Sequence, residues 1–324
     1  MKRSLLFALP AILCSLPGLA QSEEPIQFNA GPVTIYGTLT LPANGKPPVP
    51  VLLLIAGSGP TDRDGNSPMP LGNLGTLKAA SYRLLSDSLV RRGIAVVRYD
   101  KRGAGKSVDL LSGEKNLRFD TYIADAAGFI TQLKADKRFS QVVVGGHSEG
   151  SLVGMVATQR AGADAFISIA GPGDAIADKL KAQLGPQLTG DDRQQTFAAI
   201  DSLNAGFTLT RLPTTIPAVQ QLFRPSVQPY MISWMKYNPA SQIKSLTVPV
   251  LIIQGKRDLQ VTVSDAEKLK AARPNDRLIF FDQMTHTLKD VPTTDQLANL
   301  KTYVTPDLPL SPGLATAIAQ FMKP

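Results

Sequence analysis

Six short apolar runs, at residues 51–56, 94–99, 142–144, 165–170, 248–253 and 277–281, constrain what this chain can fold into more than any other feature of its sequence. Continuous apolar runs of this length fit strands buried on both faces. Helical patterns lie between them. Tyr82, Leu85 and Leu89 share a helix face that closes at Arg91-Arg92-Gly93, and Ile123, Ala126, Ala127 and Ile130 share another. Strands alternating with helices predict an α/β fold, a mostly parallel central sheet with helices on both faces. Residues 33–41 alternate apolar with polar and predict a half-exposed strand. Ser311-Pro312 reads as the opening of a last helix with Leu314, Ile318 and Phe321 on its apolar face.

Two segments break this rhythm. Residues 173–246 hold helix-like pieces and loops but no strand pattern, whereas connections in such folds take about 2–6 residues. This stretch reads as a helical cap inserted into a core made of residues 21–172 and 247–324. At the N-terminus, Lys2 and Arg3 precede an apolar run and then Gly18-Leu19-Ala20. That is the pattern of a secretory signal peptide over residues 1–20, and it predicts an exported bacterial protein, periplasmic or secreted, with no stable membrane span after cleavage. Cys14, the only cysteine, lies in this leader, so the mature chain would have neither disulfides nor thiol chemistry. The 34 Lys and Arg exceed the 26 Asp and Glu, but they are scattered rather than blocked. They read as a solvated surface, and no nucleic acid partner is expected.

The chemistry concentrates at Gly146-His147-Ser148-Glu149-Gly150, where an apolar strand gives way to a helix. G-x-S-x-G at such a junction is a sharp turn that projects the serine hydroxyl into open space. The peptide N–H of Glu149 would then face the oxyanion formed as Ser148 attacks a carbonyl. A serine nucleophile needs a base, and the base needs a carboxylate to orient it. Of the two histidines, His147 sits inside the turn and should face away from Ser148, which leaves His286, just past the last strand. Asp258 follows the strand at 248–253 and is the preferred acid. Asp174, after the preceding strand, is the alternative. The order Ser148, Asp258, His286 is the order of Ser-Asp-His triads on this type of scaffold. The second oxyanion donor is assigned to the N–H of Ser58, with Gly57 or Gly59 possible. In the polar stretch that follows, Asp62, Arg63 and Asp64 read as a hydrogen-bonded structural loop rather than a wall of the site.

Three rival motifs fail. Arg102-Gly-Ala-Gly-Lys-Ser107 resembles the tail of a phosphate-binding loop, but Asp100 stands where its first glycine would be. Gly57-Ser58-Gly59 lacks the third glycine of a dinucleotide fingerprint, since Asp62 occupies that position. One histidine outside the turn and no mature cysteine leave no set of zinc ligands.

The segments Gly57-Ser58-Gly59, Tyr99 to Ser107, Gly146 to Gly150, Gly255-Lys-Arg-Asp258 and His286 together resemble the α/β-hydrolase superfamily, most closely its bacterial esterases and serine aminopeptidase-like members. The likeness runs over roughly residues 30–324. It implies ester or amide hydrolysis through an acyl-enzyme, a small-molecule ester or acyl substrate, and no cofactor. The chain departs from many relatives in carrying Ala56 where they have histidine, and it lacks the lipase-type His-Gly-Gly-Gly. Phe223, Tyr230, Met231 and Trp234 in the insertion suggest an apolar substrate pocket. Carboxylic esters are the expected substrates. A peptidase and a catalytically silent binding protein are the alternatives.

Overall fold

Eight strands order as β1-β2-β6-β3-β7-β8-β9-β10 in one sheet of the computed structural model, which describes residues 21–43, 45–108, 113–211 and 216–323. The predicted leader, residues 1–20, lies outside the described residues. β1 (Ser22–Ala30) and β2 (Val33–Leu41) form an antiparallel hairpin, and β2 also runs antiparallel to β6. From β6 onward the sheet is parallel: β3 (Val49–Ile55), β6 (Ala95–Tyr99), β7 (Phe139–His147), β8 (Ala165–Ile169), β9 (Val250–Gly255) and β10 (Arg277–Phe281). The six apolar runs of the sequence are these six parallel strands, with ends shifted by a few residues. β6, β8 and β9 are buried along their whole length, as unalternating sequences require.

Helices cover both faces. On one face, α2 (Phe119–Ala135) and α3 (Glu149–Ala161) pack on the sheet together with the segment between β8 and β9. On the other lie α1 (Ser81–Val90) and α11 (Leu314–Met322). Phe119, Phe129 and Phe166 are fully buried, each stabilising the fold by about 1.5–3 kcal/mol through removal of apolar surface from water. Between β8 and β9 the described residues form helices joined by loops, with no strand: α4 (Ile176–Leu184), α5 (Gly190–Asn204), α6 (Pro217–Leu222), α7 (Gln228–Met235) and α8 (Pro239–Lys244). α9 (Val263–Ala272) then links β9 to β10, and α10 (Gln296–Lys301) lies beyond it. None of the helices among the described residues is long and apolar enough to cross a membrane.

Two local expectations need correction. The last helix begins at Leu314, not at Ser311-Pro312, because Leu310 bridges Lys289 and the Ser311 N–H donates to the Leu288 carbonyl at 2.8 Å. That contact ties residues 310–311 to the loop carrying His286. The stretch after Pro60 also contains an unanticipated antiparallel hairpin, β4 (Asn66–Pro70) with β5 (Thr76–Lys78).

Candidate active site

Ser148 stands between the last residue of β7 and the first of α3, with φ 55° and ψ −127°. A non-glycine residue rarely adopts positive φ, and holding it there costs about 1–3 kcal/mol. Two backbone bonds enforce the turn: Ser148 N–H donates to the Ile169 carbonyl at 3.0 Å, and Ser151 N–H donates to the Ser148 carbonyl at 2.9 Å. The flanking glycines are demanded by close approach. A Cβ at Gly146 would fall 2.2 Å from the Gly150 carbonyl oxygen, and one at Gly150 would fall 2.4 Å from that of Ile55.

His286 and Asp258 meet behind this turn. The His286 Nδ1 lies 2.7 Å from the Asp258 Oδ2, with both residues buried. The other carboxylate oxygen, Oδ1, accepts the backbone N–H groups of Gln260 at 2.8 Å and Val261 at 2.9 Å, so the acid is fixed by its own loop. With Nδ1 turned to the carboxylate, Nε2 is the ring nitrogen left for Ser148, and both residues line one cavity. Asp174, the alternative acid, is instead bound through both its oxygens to Lys268 Nζ at 2.6 Å.

His147 turns from Ser148 into the protein. Its Nδ1 is 2.8 Å from the Tyr82 hydroxyl, and its Nε2 is 2.9 Å from the His286 carbonyl oxygen. Burial and the neighbouring His286 push its pKa down to about 3, so its ring is neutral. A neutral ring in this position donates from Nε2 to the carbonyl and accepts the Tyr82 proton at Nδ1. Tyr82 in turn accepts the Gly57 N–H at 3.0 Å. The loop at Gly57, the turn at Ser148 and the His286 loop are thereby joined by one run of hydrogen bonds.

Among the described residues, the N–H groups of Ser58 and Glu149 donate to no protein acceptor. Both residues line a cavity with Ser148. For Glu149 this follows from its place as the first residue of α3, where a helical N–H has no acceptor within its own helix. The Glu149 carboxylate is buried and paired with Lys101 Nζ at 2.6 Å.

Two cavities meet at Ser148 and Ser58. One, of about 140 Å³, is lined by Leu152 of α3, by Ile176, Trp234 and Pro239 from the segment between β8 and β9, and also by Asp174 and Lys179. The other, of about 270 Å³, is lined by His286, Tyr82, Tyr303 and Gln260, with Met69 and Leu77 from the β4–β5 hairpin. Of the four cap residues expected to form the pocket, only Trp234 lines either cavity. Phe223 and Met231 are buried in the core, where an apolar side chain gains more than on a cavity wall. Tyr230 is buried against Phe119, Tyr122 and Trp234. Met69, Leu77 and Tyr303 escaped sequence reasoning, because nothing periodic marks them.

The loop after Ser58 is held by its own polar groups. Asp62 Oδ1 accepts the N–H of Asp64 at 2.9 Å and of Asn66 at 2.8 Å, Arg63 forks onto Asp100, and Asp64 pairs with Arg98. Arg102 pairs with Asp125 at 2.6 Å. Among the described residues, no group of three or more His, Cys, Asp or Glu could hold a metal ion.

The chain is similar to several known proteins. The serine aminopeptidase, S33 family matches residues 77–189, which include the elbow. The esterase EstD of Thermotoga maritima is 30% identical over 283 residues, covering 82% of this chain, and the chain spans 61% of that curated relative's length. Among solved structures, Est1E from Butyrivibrio proteoclasticus superposes with a TM-score of 0.56 at 16% identity, over 92% of this chain and 97% of its own. A proline iminopeptidase from Mycobacterium smegmatis superposes with a TM-score of 0.54 at 16% identity, over 92% and 97%. At such identities the two structures show a shared fold.

Proposed function

We propose that the chain, which has the α/β-hydrolase fold and matches the serine aminopeptidase, S33 family over residues 77–189, is a serine hydrolase that cleaves carboxylic esters through an acyl-enzyme. The observation that carries this reading is the 2.7 Å contact of His286 with Asp258 beside a serine held in a strained elbow. His286 Nε2 takes the Ser148 proton as the hydroxyl attacks the ester carbonyl, and the Ser58 and Glu149 N–H groups receive the oxyanion. His286 then protonates the departing alcohol and activates the water that releases the acid, while Asp258 steadies the imidazolium.

The two cavities divide the substrate. A leaving alcohol must come to His286 for its proton, and His286 lines the cavity beneath the β4–β5 hairpin. The alcohol half is therefore assigned to that side, and the acyl half to the smaller cavity beside Trp234. The charge inventory favours esters over peptides with a free amino terminus. An aminopeptidase needs an available carboxylate to bind the ammonium, whereas Glu149 and Asp174, the acidic residues on the cap-side cavity, are each paired with a lysine.

The test is fluorophosphonate labelling with turnover of p-nitrophenyl esters from acetyl to lauroyl, an aryl ester and aminoacyl anilides, on wild type and Ser148→Ala. Labelling and ester turnover by wild type alone are expected. Turnover of anilides in place of esters would move the reading to a peptidase, and no labelling of folded wild type would leave only a binding protein. The basic, apolar leader supports export as a further part of the proposal. Recovery of a secreted or periplasmic chain that still begins at Met1 would overturn its cleavage.

A further inference from the structure

Lys101 is a lysine almost wholly removed from water, two residues past the end of β6, and the proposed triad chemistry does not use it. Its ammonium makes three contacts. It donates to the Gly57 carbonyl at 3.0 Å, pairs with the Glu149 carboxylate at 2.6 Å, and lies 4.2 Å from the centre of the Tyr122 ring. The first two join the segments that carry the two proposed oxyanion donors.

We propose that Lys101 is the positioning residue of the oxyanion hole, holding the N–H groups of Ser58 and Glu149 in place around Ser148. The proposal rests on the serine hydrolase reading above and extends it. Its physical basis is the planarity of the peptide bond. The Gly57 carbonyl and the Ser58 N–H belong to one trans peptide and point in opposite directions. Fixing the carbonyl on Lys101 Nζ therefore fixes the direction of the Ser58 N–H. The preceding peptide is held as well, because the Gly57 N–H rests on the Tyr82 hydroxyl. Gly57 has the freest backbone of any residue type, and both of its peptide planes are clamped by buried side chains. A flipped Gly57–Ser58 peptide would withdraw the donor from the site and leave Lys101 without a carbonyl. The cation also polarises this amide and strengthens its N–H as a donor.

Glu149 completes the staple. Its carboxylate pins the first residue of α3 to the same ammonium, so the second donor is referred to the first through a single atom. The pair is a poor source of stability, since the desolvation of two buried charges offsets their attraction. What it supplies is a fixed distance between two loops 44 and 48 residues away in sequence from Lys101 itself.

The test is the double variant Lys101→Met/Glu149→Gln, which leaves no unpaired buried charge and keeps both peptide N–H groups. Loss of one complete oxyanion donor costs about 10²–10³ in kcat, so a misdirected donor should cost roughly 10–100-fold. The expected result is that fall in kcat with KM changed less than about twofold, and an equal rise in Ki for a trifluoromethyl ketone, whose hemiketal oxygen uses the same hole. A purely structural role would lower Tm and leave kcat and Ki unchanged below it, and that outcome overturns the proposal. Lys101→Met/Glu149→Leu, apolar at both ends, serves if the first variant does not fold. Failure of both to fold would make the pair a folding element and also overturn it. Folded wild type that neither labels nor turns over esters would sink the hydrolase reading itself, which is a separate outcome from an active wild type beside an unimpaired variant.

Discussion

Replacing Ser148 by glycine should stabilise the protein while destroying its chemistry. Ser148→Ala is the reference, because alanine keeps the Cβ and hence the strain while losing the hydroxyl. At φ 55° and ψ −127° the strain is worth about 1–3 kcal/mol, and glycine removes most of it. Against this, glycine loses about 0.5–1 kcal/mol more backbone entropy on folding than alanine. The turn itself survives the exchange, since the bonds that hold it, to Ile169 and from Ser151, are made by backbone atoms. The net expectation is that Ser148→Gly exceeds Ser148→Ala by roughly 0.5–2 kcal/mol. In a chain of this length that is a rise of about 1–4 °C in Tm, or a higher urea midpoint at unchanged m-value. Both variants should be unlabelled by a fluorophosphonate. A glycine variant no more stable than the alanine variant would refute the reasoning, because it would mean that the elbow stores no strain in its serine.

Asp258→Asn should lower kcat by about 10³–10⁴ with little change in KM, because the amide no longer holds the His286 tautomer or steadies its charge; steady-state kinetics on the preferred ester decide this. His147, whose pKa falls to about 3 on folding, binds its proton in the unfolded chain from about pH 6.5 downward. Its contribution is thus complete above pH 6.5 and is lost as the pH falls toward 3, by an amount of order 4–5 kcal/mol. Denaturant melts across that range should show stability falling with acid, with a shallower fall in His147→Gln. Met69→Ala and Trp234→Ala should act on opposite halves of the substrate, the first changing the ranking of leaving alcohols and the second the preferred acyl length. A matrix of acyl chains against alcohols would reveal a crossed assignment at once.

The sequence exposes whatever the backbone itself must do. The buried strands, the elbow with its two crowded glycines, and the positions of Asp258 and His286 past the ends of β9 and β10 are written in local runs and spacings. Contacts between distant segments leave no such trace. The β4–β5 hairpin was illegible because Asn66 to Lys78 is rich in glycine and proline, and its strands pair over only a few residues. Phe223, Tyr230 and Met231 are expected at a pocket because apolar residues gather in the insertion, and such gathering does not tell whether a side chain meets a cavity or the core. The start of the last helix was misplaced for a related reason. Ser311-Pro312 is a sound helix opening in isolation, but a bond to Leu288, far away in the chain, holds it in a turn.

The same division separates the groups that react from the groups that aim them. The proposed triad, Ser148, Asp258 and His286, stands just past the ends of β7, β9 and β10, so its chemistry and its local sequence coincide. Lys101, Tyr82 and His147 do their work through partners in other segments: Lys101 on Gly57 and Glu149, Tyr82 on Gly57 and His147, His147 on the His286 carbonyl. Each of them holds a backbone group or the residue that carries one. An oxyanion hole built from main-chain N–H groups has no side chain of its own to mark it, and its geometry can only be set by what grips the adjacent carbonyls and amides. In the proposed arrangement that requirement is met by a cation, a phenol and a neutral imidazole buried around Gly57 and Ser148, so substitutions at these hidden side chains are expected to reach the activity through the backbone donors they hold.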